Sequence, residues 1–309
     1  MNEPRPNPAR IAWLAIRPHT LPLSLSPVLA GSVVGWVESG SFRPDILFAA
    51  ALSAMLIQIG TNLHNDAIDT LNGTDRADRI GPVRITQRGW LSPAQMLMAA
   101  RSVFALAALA GSWLIVLGGW PVLGGWPVLA IGVISIAAAW GYSSGPWPIS
   151  RGPLGELFVL LFFGLIAVGT IAWLHSGTLS AAALLVGLIV GLPAAMVLLI
   201  NNARDIESDR RAGRRTLAIL LGRRLSLRLC ALLPAVIAMG LIALTLLGDP
   251  WFGALAGLVG LTLLWPIRHL MAESASPELF NDSLKRVVQF QLALTTALCL
   301  GLALALLAG

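Results

Sequence analysis

Charged residues are scarce in this chain of 309 residues. Asp, Glu, Lys and Arg make up 12% of the sequence, whereas hydrophobic residues make up 56% and the mean hydropathy is +0.79. An ordinary soluble domain, in which these two fractions lie closer to parity, is therefore excluded. We expect a protein that resides in a lipid bilayer.

Cysteine and histidine are also rare. Cys230 and Cys299 lie in apolar runs without metal-ligand spacing, so we expect packing residues and no disulfide framework. The four histidines are dispersed along the chain, which argues against a histidine metal site.

The pI of 10.8 comes from basic residues between apolar runs rather than from a soluble binding module. We therefore expect anionic lipid headgroups or an anionic substrate as partners, and no nucleic acid.

Long apolar runs are what the sequence does contain. A helical run of about 20 residues crosses a hydrocarbon core of about 30 Å. The fold class that we predict is an all-α integral membrane protein, with nine transmembrane helices in a single domain over 1–309. A polar segment, 1–20, precedes the bundle, and no soluble domain is expected before or after it. We place the helices near 21–38, 43–64, 94–118, 121–141, 154–174, 179–200, 226–247, 250–271 and 285–308.

The basic residues predict the orientation of the bundle. With the N-terminus in the cytoplasm, Arg43 is the one residue among the 21 Lys and Arg that falls outside. Because inner loops of membrane proteins are enriched in Lys and Arg, we expect a cytoplasmic N-terminus and an outer C-terminus. Two inner loops, 65–93 and 201–225, are long and charged. We predict that function resides in these loops, on the cytoplasmic face.

Each of these two loops contains spaced aspartates. Asp66 and Asp69 are three residues apart, and Asp205 and Asp209 are four apart. Each pair therefore lies on one face wherever the helix continues. Clustered carboxylates at the end of a membrane helix repel one another unless a cation completes them. Mg²⁺ fits, because it takes one or two carboxylates and leaves positions for water and phosphate oxygens.

Arginines surround both acidic pairs, which predicts an alternation of carboxylate, metal, diphosphate and guanidinium. One alternative is a pair of solvated loops whose surface ion pairs contribute little. Another is a transporter, whose ionisable residues are expected near the bilayer midplane instead. The arginines are Arg76, Arg79 and Arg84 after the first pair, and Arg204, Arg210, Arg211, Arg214 and Arg215 around the second.

Three further residues at inner helix ends are candidates. Tyr142, the only tyrosine in the chain, either anchors the interface or lies beside a substrate. Glu156 needs a partner at the membrane boundary, for which Arg151 is a candidate. Arg17 either anchors the inner headgroups or binds an anionic substrate.

Four segments of the chain match the sequence motifs of a known family. They are RPHTLPLSLSPVLAG at 17–31, NDAIDTLNGTDRADRIGPVR at 65–84, GELFVLLFFG at 155–164 and NNARDIESDRRAGRRTLAILLGR at 201–223. They resemble the UbiA superfamily of intramembrane prenyltransferases, in particular its naphthoate-prenylating branch. The wider superfamily often has Asp where this chain has Gly73, with Asp75 offered instead, and Lys where this chain has Pro146.

The resemblance implies roles for particular residues. The catalytic residues are expected to be Asp66, Asp69, Asp205, Asp209 and Tyr142, and the Mg²⁺ ligands Asp66, Asp69, Asp75, Asp205 and Asp209. The substrate-binding residues are expected to be Asn65, Arg79, Arg84, Asn202, Arg204, Arg214 and Arg17.

The resemblance also implies a reaction. A polyprenyl diphosphate would ionise at its allylic C–O bond, and an aromatic ring would capture the carbocation in a dry cavity that opens to lipid. With 1,4-dihydroxy-2-naphthoate as acceptor, loss of CO₂ would give demethylmenaquinone, in the inner or plasma membrane of the cell. The alternative acceptors are 4-hydroxybenzoate and another ring, such as haem or a chlorophyllide.

Overall fold

The computed structural model describes residues 5–73, 83–119, 125–248, 250–258 and 276–308, and the described chain is helical without a strand. The α-helices are α1 (Pro8–Ile16), α2 (Leu21–Ser39), α3 (Pro44–Leu71), α4 (Pro93–Leu117), α5 (Gly125–Gly141), α6 (Gly155–Leu160), α7 (Ala167–Ser176), α8 (Ala181–Arg204), α9 (Ile206–Arg211), α10 (Leu217–Thr245) and α11 (Pro277–Ala308). A π-helical turn, Leu161–Ile166, joins α6 to α7 into one span.

Seven helical segments of the described chain are long and apolar enough to cross a membrane. A shorter apolar helix, α5, occupies the place of the predicted fourth span. Most of the predicted eighth helix, 250–271, lies outside the described residues. The all-helical, membrane-spanning architecture is confirmed, whereas the count of nine helices and the sides of the two termini stay predictions.

Two of the helix ends differ from the sequence-based boundaries in ways that concern function. Helix α3 continues to Leu71 rather than ending at residue 64, so Asp66 and Asp69 lie on its final turns and not in a loop. The apolar run ends earlier than the helix because the last two turns carry polar side chains that find partners within the protein. Helix α10 already begins at Leu217, and it bends at Gly222 (φ 75°, ψ 159°), a conformation that is essentially restricted to glycine.

Helix α8 lies at the centre of the bundle, where it packs against α2, α10 and α11. Glycines in the π-helical turn and in α8 allow the backbones of these two segments to come into direct contact. A Cβ atom on Gly164 would lie 2.5 Å from the carbonyl oxygen of Gly187, and a Cβ atom on Gly191 would lie 2.8 Å from the Cα atom of Gly164. This close contact fixes the span Gly155–Ser176 against α8, and thereby the segment that carries Glu156 against the one that carries Asn202.

Candidate active site

Asp66 lies on the penultimate turn of α3 and is almost completely buried. Its Oδ2 atom accepts a hydrogen bond from the backbone N–H of Ile85 (3.0 Å), and its Oδ1 atom accepts one from the backbone N–H of Thr86 (3.2 Å). The Thr86 hydroxyl also donates to Oδ1. Both carboxylate oxygens of Asp66 are therefore bound by donors from one turn of the following loop.

Asp69, one turn further along α3, faces two arginines. Its Oδ2 atom accepts a hydrogen bond from Arg84 (3.0 Å) and its Oδ1 atom one from Arg214 (2.8 Å). The same Arg214 guanidinium lies 3.3 Å from the Oδ1 atom of Asp209. One guanidinium thus spans carboxylates from both acidic pairs, although the two pairs are far apart in sequence. The predicted convergence of the two loops is present in the structure.

The second acidic pair lies where α8 ends and α9 begins. The Arg204 guanidinium, which is almost fully buried, binds both carboxylate oxygens of Asp205 at 2.7 and 2.6 Å. It also donates to Asn201 (2.8 Å) and to Asn281 (2.6 Å) on α11. Arg204 therefore holds Asp205 and links it to α11, and its role in substrate binding stays a prediction.

Burial changes the acid–base properties of two side chains at this site. Desolvation raises the pKa of Asp209 to about 6, and the positive charge of Arg214 acts in the opposite direction. Desolvation also raises the pKa of the Tyr142 phenol above its usual range, again with Arg214 opposing the effect. At neutral pH the phenol is therefore protonated and able to donate a hydrogen bond.

The loop that follows α5 is tied to the first acidic motif by two serines. Ser143 donates to the side-chain oxygen of Asn65 (3.1 Å), and Ser144 lies 2.7 Å from Nε2 of His64. Because these serines directly follow Tyr142, they place the phenol beside α3.

Glu156 is bound from the second motif. It accepts a hydrogen bond from Asn202 (2.9 Å), so its observed partner is Asn202 and not Arg151, which the sequence had suggested. This bond links the start of α6 to the end of α8, at the base of the second acidic pair.

A cavity of about 920 Å³ opens beside the two motifs. Its polar end is lined by residues that include Asn65, Arg84 and Tyr142, and its remaining wall is largely apolar. The apolar wall is formed by small and aliphatic residues such as Ala54 on α3 and Gly132 on α5. The cavity therefore offers a long apolar ligand a place to lie with its polar end at the acidic motifs.

Arg17 lines this cavity and lies between α1 and α2. It is the one non-glycine residue in the described chain with a positive φ angle (55°), a conformation that is unfavourable for residues that carry a Cβ atom. Its guanidinium lies 3.9 Å from Asp66. The predicted ligand Asp75 and the predicted substrate-binding residue Arg79 lie outside the described residues.

Comparison with known proteins identifies the family. The UbiA prenyltransferase family matches residues 24–280. The chain belongs to the UbiA prenyltransferase family. It is 35% identical over 294 residues to the 1,4-dihydroxy-2-naphthoate octaprenyltransferase of Escherichia coli (strain K12), with 94% of each chain covered. It is 33% identical over 293 residues to the enzyme of the same name from Mycobacterium tuberculosis, with 94% of this chain and 97% of the other covered.

The fold agrees with solved structures of the same family. A UbiA homolog from Archaeoglobus fulgidus bound to GPP and Mg²⁺ superposes with a TM-score of 0.67 at 14% identity, covering 94% of this chain and 99% of that one. A UbiA homolog from Aeropyrum pernix K1 gives a TM-score of 0.65 at 16% identity, covering 92% and 97%. The family resemblance drawn from the acidic motifs, including the likeness to the naphthoate branch, is confirmed.

The oxygen donors of this UbiA protein suit a hard divalent cation such as Mg²⁺ by their chemistry. Asp69 and Asp209 are close enough to share one guanidinium, and both present carboxylate oxygens, the donors that hard cations prefer. Among the described residues, no three acidic or histidine side chains converge on a point. The donor set therefore fits a cation that takes one or two carboxylates and completes its coordination with phosphate oxygens and water.

Several residues that organise the site were not expected from the sequence. Thr86 binds Asp66 across 20 residues of chain, and Asn281 binds Arg204 across 77. Neither residue can be recognised from a sequence motif, because a single threonine or asparagine is common in loops and at helix starts. The serines after Tyr142 gave the clearest available signal, since they directly adjoin a residue already singled out.

Proposed function

We propose that the protein transfers a polyprenyl group from polyprenyl diphosphate to 1,4-dihydroxy-2-naphthoate, with release of diphosphate and CO₂. The names of the Escherichia coli and Mycobacterium tuberculosis relatives support the acceptor and the class of donor. The observation that carries the proposal is the bridge from Asp69 through Arg214 to Asp209, at the polar end of an apolar cavity. A polyprenyl diphosphate requires both a charged site for its diphosphate and an apolar cavity for its hydrocarbon tail.

The two arginines on Asp69 are placed to receive the diphosphate. Arg84 and Arg214 present guanidinium groups, which bind phosphate oxygens in a bidentate manner. Negative charge grows on the diphosphate as the allylic C–O bond breaks, so fixed cations at this place lower the barrier. Mg²⁺, held by Asp69 and Asp209, would supply further positive charge to the leaving group.

The cavity protects the carbocation. Its largely apolar wall excludes water from the allylic carbon. Attack by water at that carbon would give the prenyl alcohol instead of the prenylated ring. Tyr142 lies at the boundary between this wall and the acidic motifs, where its protonated phenol can donate a hydrogen bond to the diphosphate or to an acceptor oxygen.

The acceptor carries a carboxylate, which the acidic motifs would repel. Two cationic side chains, Arg17 and Lys285, line the same cavity from two separate parts of the chain, together with the imidazole of His19. Lys285 also contacts Asp282, at 3.2 Å, and is two-thirds exposed. We assign the acceptor carboxylate to these side chains, because Arg17 and Lys285 can pair with it at the cavity wall.

The atoms of the transfer balance without an oxidant. The ring carbon that bears the carboxylate forms the new bond to the allylic carbon, the diphosphate leaves with the C–O electron pair, and CO₂ leaves with its bond electrons returned to the ring. The product is therefore the quinol form of demethylmenaquinone, and a separate two-electron oxidation gives the quinone.

The cellular setting completes the proposal. The strong inward bias of basic residues supports nine helices in the inner membrane, a cytoplasmic N-terminus and an active site that faces the cytoplasm. In the described chain the acidic motifs lie at helix ends rather than midway along a span, which favours a transferase over a transporter.

The test is a direct assay of turnover. Detergent-solubilised protein is incubated with octaprenyl diphosphate, Mg²⁺ and either 1,4-dihydroxy-2-naphthoate or 4-hydroxybenzoate, and products are followed by mass. We expect a prenylated, decarboxylated naphthoquinol, and its loss in Asp69→Ala and Asp209→Ala variants. Product from 4-hydroxybenzoate alone would favour the ubiquinone-type reaction, and undiminished turnover in both variants would refute the site.

A further inference from the structure

We propose that Asp66 is a positioning residue for the diphosphate-binding loop and not a ligand of the metal. The acidic motif suggests equal roles for Asp66 and Asp69, since both are buried aspartates on α3. Their partners differ in kind. Asp69 binds the side chains of two arginines at hydrogen-bond distance. Asp66 binds the backbone N–H groups of Ile85 and Thr86 and the Thr86 hydroxyl, and the Arg17 guanidinium lies further away, at 3.9 Å.

The bonds of Asp66 resemble those of a helix N-cap. The segment after Arg84 forms a tight turn, in which the N–H of Arg88 donates to the carbonyl of Arg84 (3.2 Å) and the N–H of Trp90 to that of Ile85 (3.1 Å). The first N–H groups of such a turn have no partner within it and require an acceptor from elsewhere. Asp66 supplies this acceptor from a neighbouring helix.

Asp66 thereby sets the position of Arg84. Arg84 immediately precedes the two residues that Asp66 holds, and its guanidinium reaches Asp69, one turn further along the same helix. Ile85 is completely buried in a hydrophobic cluster that includes the α3 side chains Leu63 and Ala67, so apolar packing also holds the turn. Asp66 therefore holds the loop backbone, and the Arg84 side chain that extends from this loop contacts Asp69 one turn further along α3.

The difference in partners decides which aspartate can serve a metal. An arginine side chain has a long stem, so Arg84 and Arg214 can turn from Asp69 towards a diphosphate and free the carboxylate. The N–H groups that hold Asp66 belong to the backbone of an ordered turn, and releasing them would leave buried donors without partners. Asp66 therefore stays bound to the loop, whereas Asp69 can exchange its arginine partners for a metal ion.

Hydrogen exchange tests the anchoring directly. Asp66→Asn keeps the size of the side chain but replaces one acceptor oxygen by an amide donor, which repels the loop N–H groups. We expect faster exchange in a peptide that covers residues 83–90, whereas Asp69→Asn, the matched variant one turn away, leaves that peptide close to the wild type. Unchanged exchange in Asp66→Asn would overturn the proposal. This measurement does not depend on the proposed function.

Binding of Mn²⁺ in the presence of inorganic diphosphate, followed by electron paramagnetic resonance, provides the second measurement and rests on the proposed function. We expect Asp69→Asn to weaken Mn²⁺ binding by about tenfold or more, and Asp66→Asn to weaken it far less. Equal loss in both variants would show that Asp66 is a ligand. If the wild type binds no Mn²⁺, the metal-dependent function fails, while the exchange result still decides the role of Asp66.

Steady-state kinetics separates positioning from a general loss of structure. Because Asp66 acts through Arg84, Asp66→Asn is expected to raise the KM for polyprenyl diphosphate while the Mg²⁺ concentration for half-maximal rate stays the same. A milder variant, Thr86→Val, removes one donor to Asp66 and leaves both aspartates intact. It should shift exchange and KM in the same directions by smaller amounts, and it serves if Asp66→Asn does not fold. A raised Mg²⁺ requirement in Thr86→Val or Asp66→Asn would contradict the assignment.

Discussion

Replacing Arg214 by glutamine removes a guanidinium that joins the two acidic pairs. The variant loses contacts of 2.8 Å to Asp69 and 3.3 Å to Asp209, in a side chain that is only 14% exposed. Hydrogen bonds to charged groups contribute about 1.5–3 kcal/mol each. Asp69 keeps its bond to Arg84, so we expect a net loss of about 2–3 kcal/mol in the free energy of unfolding.

The size of this loss depends on pH because Asp209 titrates. Its pKa is about 6 in the folded protein, above the ordinary value of 3.8, and Arg214 is among the groups that lower it. An acid with a raised pKa binds more protons when folded, so its contribution to stability falls as pH rises through 4 to 6. Without Arg214 this pKa rises further, and the destabilisation is expected to be larger at pH 8 than at pH 5.

Thermal unfolding in detergent with EDTA and without substrate measures the effect. For a chain of this size or slightly smaller, 1 kcal/mol corresponds to about 2–4 °C in Tm, which gives a decrease of roughly 4–12 °C. Arg215→Gln is the matched control, because the adjacent side chain is exposed. A decrease that is no larger than that of the control, or that is the same at both pH values, would refute the bridge as a source of stability.

Three further outcomes are expected. Lys285→Met should raise the KM for the naphthoate without changing the KM for polyprenyl diphosphate, whereas equal changes in both would remove Lys285 from the acceptor site. Chelation of divalent cations should abolish turnover and added Mg²⁺ should restore it, whereas turnover that persists in EDTA would rule out the proposed metal dependence. Gly132 lines the cavity, and a Cβ atom on this residue would meet open space. Gly132→Phe should therefore lower turnover with octaprenyl diphosphate far more than with geranyl diphosphate, and equal losses would place the tail elsewhere.

Membrane helices and the acidic motifs could be predicted because both depend on local composition. Apolar length predicts a span, and Asp66 with Asp69 forms a pattern within one helical turn. The end of α3 could not be predicted in this way, because the helix continues to Leu71 beyond the apolar run. Its last turns are held by partners such as Ser143 and Thr86, which come from other parts of the chain.

The pairing of individual charges required the structure. Five arginines surround the second acidic pair in the sequence, and hydropathy does not distinguish them. Arg214 reaches across to Asp69, whereas Arg204 is occupied by Asp205 and two asparagines. The sequence treats these two arginines as equivalent, whereas the structure places Arg214 between the two motifs and pairs Arg204 with the adjacent Asp205.

The bond between Arg214 and Asp69 has a consequence for how the protein is made. The two residues are 145 positions apart, and at a synthesis rate of about 5–20 residues per second the ribosome needs roughly 7–30 s to reach the second after the first. During that interval the end of α3 is in the membrane without its partner from the later half of the chain. The nascent protein therefore depends on Arg84, only 15 residues away, as the early counter-charge for Asp69.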